Sequence, residues 1–252
     1  MAQGFRLPEI LEIARTEGRV TVEDLAERLG VTAQTIRRDL AELDEAGKLE
    51  RVHGGAILRS GTVNIGYHDR AALNATEKAA IARACAAEIP PGASVFLAIG
   101  TTTEALAREL RRHSGLMVVT NNLNVANILA ENPQCQVIVS GGGLRRSDGG
   151  LTGPLTEAAI RQFKVDIAVI GCSALDQDGD MLDYDIHEVG VSRALIAQAR
   201  RAWLVCDHSK LARSAPARID SLSVLEAVFT DRPLPEALAS RCEGWGTRVV
   251  VG

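Results

Sequence analysis

Aromatic residues are scarce, at 3% of the chain, so leucine, isoleucine, valine and alanine must fill any core. The five cysteines, Cys85, Cys135, Cys172, Cys206 and Cys242, are odd in number and form no Cys-x-x-Cys pair. That argues against a disulfide framework or a zinc site and fits reduced thiols in the cytoplasm. Excess positive charge is missing as well. Lys and Arg total 28 against 32 Asp and Glu, a net charge of −4. Taken alone, this balance argues against nucleic acid or an anionic membrane as a partner. Long apolar runs are absent too. Residues 113–130 lack Lys, Arg, Asp and Glu, but His113, Asn121, Asn122, Asn124 and Asn127 interrupt them, so no membrane span is expected. Met1 to Arg6 shows no signal-peptide pattern. What is present is ordinary for a folded protein: 252 residues, 46% hydrophobic and 24% charged. At roughly 100–200 residues per domain, this allows one large domain or two unequal ones.

Two regimes divide the chain. Residues 1–58 read as a small helical domain ending in a hairpin. Residues 59–75 contain the aperiodic stretch Arg59 to Gly66 and read as a linker. From 76 to 252, short apolar runs alternate with amphipathic segments. Strands are expected at 94–99, 117–120, 136–140, 166–170, 202–206, 226–230 and 247–251. Helices are expected from Thr76 to before Pro90, and at 102–112, 123–131, 155–163, 187–200 and 235–242. The fold class is therefore α/β: a buried, mostly parallel sheet with helices on both faces, carrying the smaller helical domain at its N-terminus.

The first regime has the spacing of a helix-turn-helix. Helix one is expected from Pro8, a favoured first-turn residue, to Thr16. Thr21 is placed to cap helix two, with Asp24 as a weak capping-box partner. Ala26 lets two helices approach, Gly30 supplies a left-handed turn, and Thr32 caps helix three over Ala33 to Ala46. Ile36, Leu40 and Leu43 share one face of that helix, while Gln34, Arg38 and Ala41 lie opposite, flanked by Thr35 and Arg37. Gln and Arg around a small centre suit the major groove, because Gln pairs with adenine and Arg with guanine. Arg37 and Thr35 are better placed for phosphates. Leu49–Val52 and Ala56–Leu58 read as strands around His53-Gly54-Gly55, a wing with Arg51 and His53 near the DNA backbone. For His53, a structural role in the turn is the equal alternative. Residues 1–60 hold nine basic and eleven acidic residues, so any DNA affinity must come from this local arrangement and not from bulk charge.

In the second regime, polar residues follow the apolar strands. Gly100-Thr101-Thr102-Thr103 lies between a strand and a helix, where hydroxyls and free amides suit an anion; an ordinary cap is the even alternative. Thr120-Asn121-Asn122 and Gly141-Gly142-Gly143 end the next two strands, and asparagine suits polyol hydroxyls. Lys210, and less directly Arg145 or Arg146, would neutralise a phosphate; exposed arginines are the bland alternative for 145 and 146. Asp185 and His187 sit where they either close the pocket or cap a helix. Position 191 is valine, so His187-Glu188 is no zinc motif, and Asp176 to Asp180 reads as a turn.

Several segments together resemble the DeoR family of bacterial transcriptional regulators. They are Thr35-Ile36-Arg37-Arg38-Asp39-Leu40, Arg51-Val52-His53-Gly54-Gly55-Ala56, Glu77-Lys78, Ile99-Gly100-Thr101-Thr102, Thr120-Asn121-Asn122, Gly141-Gly142 and Asp207-His208-Ser209-Lys210. Thr120 to Asn127, Arg146 to Gly150 and His187 to Val189 resemble most the branch that answers to glycerol 3-phosphate. The resemblance implies a winged helix-turn-helix that binds operator double-stranded DNA. It also implies an effector domain with a fold similar to sugar-phosphate isomerases, release by a phosphorylated inducer, a homo-oligomer (dimer or tetramer), no cofactor and no enzymatic activity. The alternative is a sugar-phosphate isomerase or deaminase carrying a DNA-binding module. Ala98 weakens it, because most relatives have a carboxylate there.

Overall fold

The computed structural model describes residues 3–17, 19–58, 64 and 66–252. The chain divides into two compact units, Met1–Arg70 and Ala71–Gly252.

The first unit contains α1 (Gln3–Glu17), β1 (Arg19–Thr21), α2 (Val22–Leu29), α3 (Ala33–Glu45), β2 (Leu49–Val52) and β3 (Gly55–Leu58). Ile10, Ala14, Leu25, Ile36, Leu40 and Leu43 bring the apolar faces of the three helices into one core, closed below by Val20, Leu49 and Ala56. Two features depart from expectation. Helix α1 starts at Gln3, so Pro8 lies inside it and donates no bond to the Gly4 carbonyl. The wing also has a third strand, in the order β1-β3-β2, with Val20 opposite Ala56. Gly55 permits that pairing, since a Cβ there would sit 1.9 Å from the Val20 carbonyl oxygen.

Helix α4 (Tyr67–Ala72) occupies part of the stretch read as a linker. Arg59 to Val63 and Ile65 of that stretch lie outside the described residues.

The second unit runs α5 (Ala75–Glu88), β4 (Ser94–Leu97), α6 (Thr101–Glu109), β5 (Leu116–Thr120), α7 (Leu123–Leu129), β6 (Cys135–Val139), β7 (Gly143–Arg145), β8 (Gly150–Thr152), α8 (Pro154–Ile160), β9 (Val165–Ile170), β10 (Ala174–Leu175), β11 (Asp180–Asp183), α9 (Ile186–Ala197), β12 (Ala199–Val205), β13 (Ala217–Ser221), β14 (Ala227–Thr230), α10 (Glu236–Trp245) and β15 (Arg248–Val251). Seven strands form one parallel sheet, ordered β15-β14-β12-β9-β4-β5-β6. Alternate residues feed two cores. On β4, Phe96 enters one and Val95 and Leu97 the other; on β12, Leu204 and Trp203 divide likewise. No helix among the described residues is long and apolar enough to cross a membrane.

Helix α9 stops at Ala197, three residues earlier than its periodicity suggests. Pairing of Ala199 with Val165 and of Arg201 with Ile167 captures the following residues as strand. The hairpin β7–β8 and the antiparallel sheet β10-β11-β13 have no counterpart in the expected elements. Their strands are short, and none carries the apolar run of a central strand.

Sheet order fixes where a ligand would sit. The chain moves from β4 outward to β5 and β6, then returns to β9 on the other side of β4. Loops leaving β4 and β9 therefore diverge, the arrangement beside which ligands bind in open α/β sheets.

Candidate DNA-binding and effector sites

In the first unit, Thr21 accepts from the Asp24 amide at 3.2 Å, capping α2. The Asp24 carboxylate does not complete the expected capping box; it takes Arg28 Nε at 2.9 Å instead. Gly30 adopts φ 63°, and Thr32 caps α3 through the Thr35 amide at 3.2 Å. The Thr32 and Thr35 hydroxyls bond each other at 2.9 Å. With Ile36, Leu40 and Leu43 buried, Gln34, Arg37 and Arg38 are left exposed on the opposite face. Arg51 on β2 and His53 in the wing turn are exposed as well. Asp39 is different: it is buried and holds Arg6 of α1 through two bonds, one of them 3.0 Å long from Nη2.

In the second unit, Gly100 (φ 149°) ends the loop after β4 and starts α6. The first amides of α6, at Thr101, Thr102 and Thr103, have no intrahelical acceptor. The Thr103 hydroxyl donates to Ala98 and Gly100 carbonyls at 2.8 and 2.7 Å, which fixes the loop. Thr120 likewise donates to the Leu97 carbonyl at 2.7 Å, and its Oγ accepts from the Asn122 amide at 3.0 Å. Asn122 caps α7 and donates to buried Glu104 at 3.3 Å. These two side chains join strand ends together. Asn121 differs: it donates to the Leu151 carbonyl at 3.0 Å, but its Oδ1 is buried with no partner among the described residues. Gly142 is needed for close approach, because a Cβ there would lie 1.9 Å from Thr156 Oγ. The Gly141 carbonyl accepts from that same hydroxyl at 2.8 Å.

Past β12, Asp207 accepts from Asn74 Nδ2 at 2.8 Å and from the Ser209 hydroxyl at 2.5 Å. Burial pushes this carboxyl up, but Lys210, Ser209, Lys78 and Asn74 outweigh it and hold it at about 2. Lys78 is buried and donates to the Leu73 carbonyl. Two lysines thus flank one carboxylate at the carboxyl edge of the sheet. The sequence singles out Lys210 but gives Lys78 and Asn74 no role; a lysine in the first turn of an alanine-rich helix is the available signal.

Asp185 caps α9, accepting from the His187 amide at 2.9 Å, while the His187 side chain is exposed. Arg145 is not the expected surface arginine. It bonds Asp148 at 2.9 and 2.7 Å, Asp185 at 2.8 Å and Glu188 at 2.6 Å. Burial raises the Glu188 carboxyl, with the Asp183 charge adding to it, to about 7 despite Arg145. Folding therefore takes up a proton there. The resulting stabilisation is complete below about pH 4.5 and is lost as pH rises through 7. Comparing urea midpoints at pH 5 and pH 8 should show this loss, on the order of 2 kcal/mol, in the parent protein. Glu188→Gln should lose that part of the slope.

The polar strand ends form the candidate effector site, at the carboxyl edge of the sheet. A cavity of about 470 Å³ lined by Pro90, Pro91, Asp166, Arg200 and Arg201 lies at the opposite, amino edge of the sheet.

Residues 6–62 match the DeoR-like helix-turn-helix domain, and residues 73–232 match the DeoR C terminal sensor domain. A glycerol-3-phosphate regulon repressor from Escherichia coli (strain K12) is 46% identical over 235 residues, 93% of each chain. A repressor of the same name from Haemophilus influenzae is 42% identical over 251 residues, 100% of this chain and 98% of that one. The HTH-type transcriptional repressor CsqR of Escherichia coli (strain K12) is 39% identical, covering 94% of this chain and 91% of its own. Among solved structures, ribose 5-phosphate isomerase A from Methanocaldococcus jannaschii overlaps 55% of each chain at 14% identity and a TM-score of 0.41.

Proposed function

Because the chain belongs to the DeoR family of transcriptional regulators, we propose that it is a DNA-binding repressor of glycerol 3-phosphate metabolism genes, released from its operator by glycerol 3-phosphate. The observation that carries this reading is near-full-length identity to two repressors of that name, matched to a helix-turn-helix with an open recognition face. In this reading α3 enters the major groove. Gln34 and Arg38 meet base edges, while Thr32, Thr35 and Arg37 meet phosphates. Arg51 and His53 hold the adjacent backbone from the wing.

The inducer's phosphate takes the amides of Thr101 and Thr102 at the α6 N-terminus, beside Gly100, with Lys210 and Lys78 supplying charge. Its hydroxyls meet Asn121, whose Oδ1 needs a donor. Gly141 and Gly142 shape the neighbouring wall. The inducer works only by favouring the state that binds DNA poorly. Operators commonly have two-fold symmetry, so the repressor acts as a homo-oligomer assembled through the larger unit.

The test begins with selection of bound sequences from random DNA duplexes. A single enriched, two-fold-related site is expected, with release by millimolar glycerol 3-phosphate. Enrichment of no site, or a complex indifferent to the ligand, would sink the reading. Arg38→Ala should weaken binding to the selected site by about 1–3 kcal/mol at fixed salt, chiefly at one base position. Fluorescence anisotropy on matched and single-mismatch duplexes measures both effects.

A further inference from the structure

We propose that residues 141–153 form a lid over the effector pocket, and that Arg145 is the latch fastening it to the N-terminus of α9. The inference rests on the effector reading above for what lies beneath the lid, but the latch can be tested without it.

Gly141 (φ 75°), Gly142 (φ 121°) and Gly153 (φ 96°) bound two three-residue strands, and all three use backbone angles that side chains resist. The hairpin forms a two-stranded sheet of its own, β7-β8, joined to the segment after β5 by a single bridge between Gly150 and Asn122, and Leu144 on it is 54% exposed.

Its inner side lies on the pocket loops. A Cβ on Gly150 would lie 2.5 Å from Ile99 Cδ1, in the loop that leads to Gly100. The Leu151 amide donates to the Asn121 carbonyl at 2.7 Å, and the Leu123 amide to the Gly149 carbonyl at 3.0 Å. The hairpin therefore covers the carboxyl ends of β4 and β5, and it holds Asn121, whose buried Oδ1 has no partner among the described residues.

Arg145 then sets how firmly it is held. Two of its bonds go to Asp148 inside the hairpin and keep the guanidinium aimed. The other two cross to Asp185 and Glu188 on α9. Arg145 faces three bonded carboxylates, and Asp183 acts on Glu188 from β11; Glu157 of α8, which lies against Gly190, is paired with Arg161 at 3.1 Å. The carboxylates that share Arg145 repel one another, which weakens each crossing bond relative to an isolated pair. A static strut would not carry that weakening, whereas a latch that must release is served by it.

The experiment uses the full chain and the variant Asp185→Asn with Glu188→Gln. Asparagine still caps α9, and the Arg145–Asp148 pair inside the hairpin is untouched. Hydrogen exchange without ligand should show the amides of Gly149 to Leu151 exchanging at least tenfold faster, with β4 and β9 amides unchanged. Equal hairpin rates in variant and parent overturn the latch, as does acceleration only together with β4 and β9. Glu188→Gln alone should act in the same direction and leaves the α9 cap intact. Stopped-flow displacement should then show glycerol 3-phosphate leaving the double variant at least fivefold faster. Faster exchange with an unchanged dissociation rate overturns the lid. Failure of the parent protein to bind glycerol 3-phosphate overturns the effector reading and leaves the exchange comparison to judge the latch.

Discussion

Asp39→Ala should unfold the DNA-binding unit while leaving the larger unit folded. Asp39 is 1% exposed and its described side-chain bonds are to Arg6, itself 6% exposed. Deleting the carboxylate strips a buried guanidinium of this counter-charge, at a cost of about 3–5 kcal/mol. A unit of this size has on the order of 5 kcal/mol to lose, so the unfolded form becomes substantially populated. Operator binding should disappear, although Asp39 lies on the buried side of α3 and makes none of the proposed base contacts. Thermal denaturation should show an early transition that the parent protein lacks. The sharper check is a double-mutant cycle with Arg6→Met and Asp39→Leu. Replacing both charges with apolar groups should recover most of the stability, because neither partner is then stranded. Loss of less than 1 kcal/mol in Asp39→Ala would mean that the pair contributes nothing to the fold.

Asp39 also illustrates which parts of the molecule the sequence exposes. Its neighbours Ile36 and Leu40 announce a buried face by helical spacing, and Gln34, Arg37 and Arg38 fall opposite by the same arithmetic. Turn chemistry is equally local, which is why Gly30 and Thr32 are readable. The parallel sheet is readable because central strands are short, continuous and apolar. Tertiary pairing is not. Nothing near Arg6 or Asp39 in the chain announces a bond across 33 residues. The same applies to Arg145, whose partners on α9 lie 40 and 43 residues away. The hairpin β7–β8 leaves no sequence signal because glycine backbone angles and one ion cluster hold it, not an apolar run. Within the effector edge, the glycine- and threonine-rich strand ends stand out by composition. Their division into ligand-facing and structural groups does not. Thr103, Thr120 and Asn122 spend their polar atoms on neighbouring backbone and Glu104, a choice that depends on where other strands end.

Lys210→Gln should cut glycerol 3-phosphate affinity by about 30- to 150-fold, with operator affinity unchanged when the inducer is absent. A charge-assisted bond to a phosphate contributes about 2–3 kcal/mol, which is that range of fold-change. The surrounding charges determine whether this lysine is available. Asp207 stays ionised down to about pH 2 because Lys210, Ser209, Lys78 and Asn74 all favour its charged form. Between pH 5 and 8 the Asp207 carboxylate therefore keeps a constant charge beside Lys210 and Lys78. Phosphate ionisation, with a second pKa near 6, then governs the pH dependence. Inducer affinity should rise from pH 5 to pH 7 and level off above. In Lys210→Gln one cation beside the proposed phosphate position is gone, so the rise should flatten as well as the affinity fall. Isothermal titration at pH 5, 6, 7 and 8 distinguishes this from a folding defect, which would lower binding without changing the profile. Lys78→Gln is the harsher variant, because Lys78 is buried and also anchors the Leu73 carbonyl at the start of α5. It should lower both thermal stability and inducer affinity. A Lys210→Gln protein that keeps full affinity and the parental pH profile would move the phosphate away from β12 and leave the α6 amides as its sole anchor.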